Sequence, residues 1–253
     1  MLTLTASKQF NSKLTSGKNY VLVHGLGLGG WCWQRVANQL RLQGHNVYKP
    51  SLTGSAERSH LATAEVNLDT HITDVVSVMK WEDLHDVILV GHSYGGSVVT
   101  GAADRAADRI QRLVYLDAFI LRDGESVLSL QPSERVQYYE DMVKQKGDGW
   151  LVFPNSAEFY GLRDPNDRKW VDELSVPQPF GTLQQPLSLV QKEKPKYKRS
   201  YIWASGFTHS PFVRFAERVR EDDDWDYHEL PAGHMAMISH PDEVTSILLG
   251  FAE

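Results

Sequence analysis

Short apolar runs alternate along this chain with stretches in which apolar residues recur every three or four positions. Tyr20-Val21-Leu22-Val23, Val87-Ile88-Leu89-Val90 and Leu113-Val114-Tyr115-Leu116 are nearly free of polar side chains, which predicts strands covered on both faces. His45-Asn46-Val47-Tyr48, Ser200-Tyr201-Ile202-Trp203 and Trp225-Asp226-Tyr227-His228-Glu229-Leu230 predict further strands. Between them, Trp33, Val36 and Leu40, and then Ile72, Val75, Val76 and Met79, fall on one face of a helix. This alternation predicts an α/β fold: one mostly parallel central sheet flanked by helices. From about Ile120 to Lys198 the pattern lapses into Gln-, Pro-, Tyr- and Lys-rich sequence. An insertion there predicts a cap (120–198) on a core made of 1–119 and 199–253, the whole forming one structural domain. The cap's aromatics, Tyr138, Tyr139, Trp150, Phe153, Phe159 and Tyr160, either face a ligand or pack the cap onto the core.

The second run leads directly into Gly91-His92-Ser93-Tyr94-Gly95, and that into Gly96-Ser97-Val98-Val99. A buried strand that turns sharply through a serine into a helix is a nucleophile elbow. Its glycines are needed because strand and helix approach so closely that a Cβ there would collide with its neighbours. Ser93 is thereby raised to where a substrate can meet it. Upstream, Tyr20–Val23 runs into His24-Gly25-Leu26-Gly27-Leu28-Gly29-Gly30. Acyl transfer needs two backbone N–H groups aimed at the developing oxyanion, and these are assigned to Leu26 and Tyr94. Gly25, Gly27 and Gly30 do fall at Gly-x-Gly-x-x-Gly spacing, but that string alone is a weak signal and no Lys-Ser/Thr pair follows, which argues against a phosphate cradle. Near the other end, Ala232-Gly233-His234-Met235-Ala236-Met237 follows the last strand. The order nucleophile first, base last makes His234 the general base.

These segments together resemble the α/β-hydrolase superfamily, and within it the branch of plant methylesterases and hydroxynitrile lyases with their bacterial esterase relatives. The resemblance rests on Val21–Gly25 with Gly30-Trp31-Cys32-Trp33, on Val90–Gly96 and on Gly233–Met237. It implies the α/β-hydrolase fold and a serine esterase that cleaves a small-molecule carboxylic ester or lactone through an acyl-enzyme, without a cofactor. The lyases of that branch resemble one another in a lysine beside the catalytic histidine and a threonine in the oxyanion loop. Here Met235 and Gly25 stand at those places, which favours an esterase over a carbon–carbon lyase. One departure matters. The branch places its triad aspartate shortly after the strand that here reads Ser200–Trp203, but this chain continues Ala204-Ser205-Gly206-Phe207-Thr208-His209-Ser210 without an acid. Asp117, at the end of the strand Leu113–Leu116, is the relocated candidate, against an ordinary reading as a helix N-cap. Asp123 and Glu125 are further choices, and Ser205 could orient the histidine without charge. The missing acid also leaves open a non-catalytic small-molecule-binding homologue.

Gly25, His92, His209 and Trp150 are candidates for substrate contact, and Thr53-Gly54 for the pocket border. For His24 and His92, which adjoin catalytic backbone, loop-fixing hydrogen bonds compete with that role. A net charge of −6 with scattered basic residues argues against nucleic acid as a partner. Lys192–Arg199 is broken by Glu193 and Pro195 and reads as a solvated connector, and Glu221–Asp224 reads as a polar loop rather than a cation site. The single cysteine, Cys32, excludes an internal disulfide, and no zinc-ligand spacing is present, so no metal is expected. Met1–Lys8 has no signal-peptide pattern and no run reaches membrane-spanning length, which predicts a cytoplasmic protein without membrane contact. A second copy of the chain, as a homodimer, is left open.

Overall fold

The structure is a computed structural model that describes residues 17–191, 196–207 and 210–252. Six strands form one sheet in the order β2-β1-β3-β4-β7-β8, with every neighbouring pair parallel. In chain order the core begins with β1 (Asn19–Val23), α1 (Gln34–Leu42), β2 (Asn46–Tyr48) and α2 (Leu68–Trp81). It continues through β3 (Val87–His92), α3 (Gly95–Arg105) and β4 (Ile110–Leu116). The chain then builds a small separate layer: α4 (Ser133–Lys146), β5 (Leu151–Val152), α5 (Pro165–Leu174), β6 (Gln178–Pro179) and α6 (Gly181–Gln184). In it, β5 and β6 pair antiparallel. The core resumes with β7 (Lys198–Ala204), α7 (Val213–Arg220), β8 (Trp225–Leu230), α8 (Ala236–Ser239) and α9 (Pro241–Gly250).

The unbroken apolar runs have a simple cause. Successive side chains on a strand point to opposite faces, and here both faces are covered. Val21, Val23, Val87 and Leu89 join Ile72, Val75 and Met79 of α2, Val98 and Val99 of α3, and Phe215 of α7. Tyr20, Leu22, Ile88 and Val90 join Val36 and Leu40 of α1 and Val244 and Leu248 of α9. Each fully buried Val or Leu in these layers contributes about 1.5–3 kcal/mol of hydrophobic stabilisation. The helix predicted through Ile72 and Met79 is held at its start by Asn67, whose side chain accepts from Thr70 N–H while Thr70 Oγ1 accepts from Asn67 N–H. Among the described residues no helix is long and apolar enough to cross a membrane.

Because all six strands run the same way, the loops after β1, β3, β4 and β8 emerge at one edge of the sheet. That edge is where open α/β sheets place their ligand sites.

Candidate active site

The elbow is built as its sequence requires. Ser93 follows β3 with φ +55°, in the left-handed region that non-glycine residues rarely enter, at a cost on the order of 1–3 kcal/mol. A Cβ at Gly91 would lie 2.6 Å from the Gly95 carbonyl oxygen, and one at Gly95 would lie 2.6 Å from the His24 carbonyl oxygen. Neither space can hold a methyl group, so strand and helix meet backbone to backbone. Hydrogen bonds past the strand ends lock the turn: Ser93 N–H donates to Leu116 C=O (3.2 Å), and Phe119 N–H donates to Ser93 C=O (3.2 Å).

Asp117 leaves β4 in the next loop, also at positive φ (+43°), with its N–H donating to Ile202 C=O (2.8 Å). The Tyr201 hydroxyl fixes the residue after it, accepting from Ala118 N–H (3.1 Å) and donating to Ala118 C=O (3.0 Å). Asp117 is fully buried, and its Oδ2 lies 2.6 Å from His234 Nδ1 across 117 residues of sequence. The N-cap alternative is thereby displaced, since this carboxylate is turned to the histidine.

His234 is held by its backbone at both ends. Its N–H donates to Tyr160 C=O (3.0 Å), and its C=O accepts from His92 Nε2–H (2.9 Å). The imidazole is stacked on Phe212 (5.2 Å, 11° between planes) and Phe207 (5.1 Å, 29°), with Tyr160 tilted against it (5.2 Å, 37°). Burial pushes this imidazole down to about 3. Burial also raises the Asp117 carboxyl well above the usual carboxylate range, with the Ala204 amide opposing the rise. Both shifts disfavour charge, and the two groups titrate as a pair. With Asp117 ionised, the neutral ring carries its proton on Nδ1 and donates it to Oδ2, which leaves Nε2 with a free lone pair.

Ser93 and His234 line one cleft of about 300 Å³, together with Leu26 and Tyr94. Among the described residues, neither the Leu26 nor the Tyr94 backbone N–H donates to an acceptor within the chain. Two unused donors beside a hydroxyl and an imidazole can hold an oxyanion. The Tyr94 side chain points the other way, its hydroxyl donating to His71 Nδ1 (2.8 Å) while His71 Nε2–H donates to Thr53 C=O (2.8 Å). Buried His24 bridges two loops, Nδ1–H donating to Gly25 C=O (2.9 Å) and Nε2 accepting from Leu52 N–H (3.0 Å).

Several expected substrate contacts are not among the residues that line the cleft. Gly25 and His92 lie behind the cleft: a Cβ at Gly25 would fall 2.9 Å from Ser93 Cβ and 3.0 Å from His92 Nδ1. A threonine there, as in the lyases, would not fit without displacing the serine. Trp150 opens the two-stranded layer, its carbonyl accepting from Phe180 N–H (2.7 Å), and does not line the cleft. Thr53 is committed to Asp74 (2.7 and 2.9 Å). Of the other acid candidates, Asp123 accepts from Leu189 N–H and Glu125 from Arg122 N–H, and Ser205 Oγ donates to Leu230 C=O. His209 and Lys192–Pro195 lie outside the described residues. Of the aromatics expected in the cap, Tyr139, Phe159 and Tyr160 line the cleft, while Tyr138 and Phe153 do not. Sequence reasoning missed Phe207 and Phe212, which carry no motif, and Arg135, Gln131 and Asn155, which also line the cleft.

Over residues 20–247 the chain matches the Alpha/beta hydrolase family. It belongs to that family. Within it, the chain is 40% identical over 238 residues to the carbendazim hydrolyzing esterase of Nocardioides sp. (strain SG-4G), a match covering 91% of this chain and 98% of the relative. It is 26% identical over 255 residues to putative methylesterase 12, chloroplastic, of Arabidopsis thaliana, covering 93% and 72% respectively. Among solved structures of α/β-hydrolases, an extracellular one from a Paenibacillus species superposes with a TM-score of 0.81 at 24% identity, covering 92% of this chain and 98% of that one. That likeness carries the fold.

Proposed function

We propose that this α/β-hydrolase is a carboxylic ester hydrolase acting on small esters or lactones through an acyl-enzyme on Ser93. The observation that carries the reading is the 2.6 Å contact of His234 Nδ1 with Asp117 Oδ2, made by an imidazole that shares its cleft with Ser93. His234 Nε2 takes the Ser93 proton as Oγ attacks the ester carbonyl, and the Leu26 and Tyr94 N–H groups hold the oxyanion. The imidazolium returns the proton to the leaving alcohol. Water, deprotonated by the same nitrogen, then attacks the acyl-enzyme and releases the acid. A backbone oxyanion donor is worth on the order of 3 kcal/mol in such a step.

The name of the Nocardioides relative supports ester chemistry and makes carbendazim a reasonable first test compound. Asp117 beside His234 supports catalysis over a non-catalytic binder, the alternative that the absence of an acid after β7 would favour. Buried Met235 and Gly25 count against cyanohydrin cleavage. The test is covalent labelling with a fluorophosphonate alongside turnover of short aryl esters. Wild type should be labelled at Ser93, and Ser93→Ala should be unlabelled and lose essentially all turnover. Wild-type turnover in Ser93→Ala would end the proposal, and cyanide release from mandelonitrile at the ester rate would replace it with a lyase.

A further inference from the structure

Among the described residues, the cleft is lined by one arginine and no carboxylate. Arg135, on the first turns of α4, lines it with Gln131, Tyr139, Asn155 and Phe159. Its guanidinium lies 5.6 Å from the Tyr138 ring centroid, 6.0 Å from Tyr139 and 5.8 Å from Phe159. Most other arginines near the surface have an acid: Arg35 faces Asp167, Arg58 Asp74, Arg105 Asp69, Arg168 Glu158 and Arg220 Glu229. Among the described residues no Asp or Glu pairs with Arg135. Aromatic faces hold a guanidinium in place without using its in-plane N–H donors. Those donors remain available to whatever enters the cleft.

The surroundings set the sign of the ligand. The chain carries a net charge of −6, so its mean field repels anions, and an anionic substrate needs a local cation to enter. The other cleft walls include Phe119, Tyr139, Phe159, Tyr160, Phe207 and Phe212, which suit a flat apolar body. A volume of about 300 Å³ is at the small end of ligand sites. We infer that the ester this cleft takes carries a carboxylate, or an equivalent oxygen anion, at the end remote from the scissile carbonyl. Arg135 is then the specificity-determining residue, binding that anion through its planar fork. The inference rests on the esterase reading and adds the class of substrate to it.

The test compares two esters of one shape, monomethyl isophthalate and methyl 3-methylbenzoate. Each gains water and releases methanol and a carboxylic acid, and only the first carries a charge away from the reacting carbonyl. Wild type should favour the charged ester by about tenfold or more in kcat/KM, the scale of one charge-assisted contact. Arg135→Met should abolish that preference, raising KM of the charged ester about tenfold more than KM of the neutral one, and Arg135→Lys should retain part of it. Raising the salt from about 0.05 to 0.5 M should narrow the wild-type preference alone. No preference in wild type, or the same preference in Arg135→Met, would overturn the inference. Equal loss of both esters in that variant would also overturn it, making Arg135 a packing residue of the cap. Failure of wild type to cleave either ester, with Ser93 unlabelled by fluorophosphonate, sinks the esterase reading itself and this inference with it.

Discussion

His234 receives from Asp117 what its own loop does not provide. The carboxylate comes from β4, two strands away from β8, and reaches the imidazole because the positive-φ turn at Asp117 aims it across the end of β7. The consequence is testable at that one residue. In Asp117→Asn the amide can donate to Nδ1, which moves the ring proton to Nε2 and removes the lone pair that must accept from Ser93. Volume and shape are kept, so the fold should survive. Turnover should fall by about 10⁴-fold, the magnitude of the same exchange in a trypsin-like protease, while fluorophosphonate labelling slows in parallel. Full activity in Asp117→Asn would mean that the base is oriented by something else.

At the scale of elements, the elbow depends on α3 lying directly against β1. Gly95→Ala would place a methyl group 2.6 Å from the His24 carbonyl oxygen and 2.9 Å from that of Val23, both backbone atoms with no rotamer to yield. The helix must shift, and the expected loss is on the order of 1–3 kcal/mol in urea unfolding, with a larger fall in turnover because Ser93 moves with it. Gly250→Ala, at the end of α9 with no atom within 4 Å of the new Cβ, should be neutral or slightly stabilising. The sheet was largely legible before the structure because its strands are covered on both faces: β8 matches its expected bounds, and β1 and β3 differ by a residue or two. β4 begins earlier than its apolar run because Arg112 interrupts the pattern. Its buried guanidinium pairs with Asp226 and lies 4.5 Å from the Phe251 ring centroid, two partners that periodicity cannot reveal. The helix α4 was illegible for the opposite reason, since only Val143 on it is fully buried. Ser93 and His234 could be read from local motifs, whereas choosing Asp117 among the acids required a contact that spans 117 positions. Phe207 and Phe212, which stack on the imidazole, have no local pattern at all.

For the whole molecule, three buried histidines connect the site to the stability of the fold. His24 ties the oxyanion loop to Leu52, His71 holds the Tyr94 side chain, and His92 holds the His234 carbonyl. Each accepting or donating ring must stay neutral, and burial lowers His24 and His71 to about 4 and His92 well below its ordinary value. In the unfolded chain each returns to about 6.5. Between about pH 6.5 and 4 the unfolded chain therefore binds protons that the folded chain refuses, so stability falls as pH falls. At one pKa unit per 1.4 kcal/mol, His24 and His71 each remove on the order of 3 kcal/mol by pH 4. Asp117 acts in the opposite sense, its raised carboxyl taking a proton in the folded chain first, so net proton uptake on unfolding is smaller than the histidine count. Against a total stability of roughly 5–15 kcal/mol, the two costs together should bring the fold close to its limit near pH 4. Urea midpoints measured at pH 7, 5.5 and 4.5 should decline stepwise, and His71→Gln, which keeps one donor and one acceptor, should flatten the decline. A midpoint constant from pH 7 to 4.5 would mean that these rings are hydrated enough to take up protons in the folded state. The loops that they tie around Ser93 would then be held by the packing of the sheet edge alone.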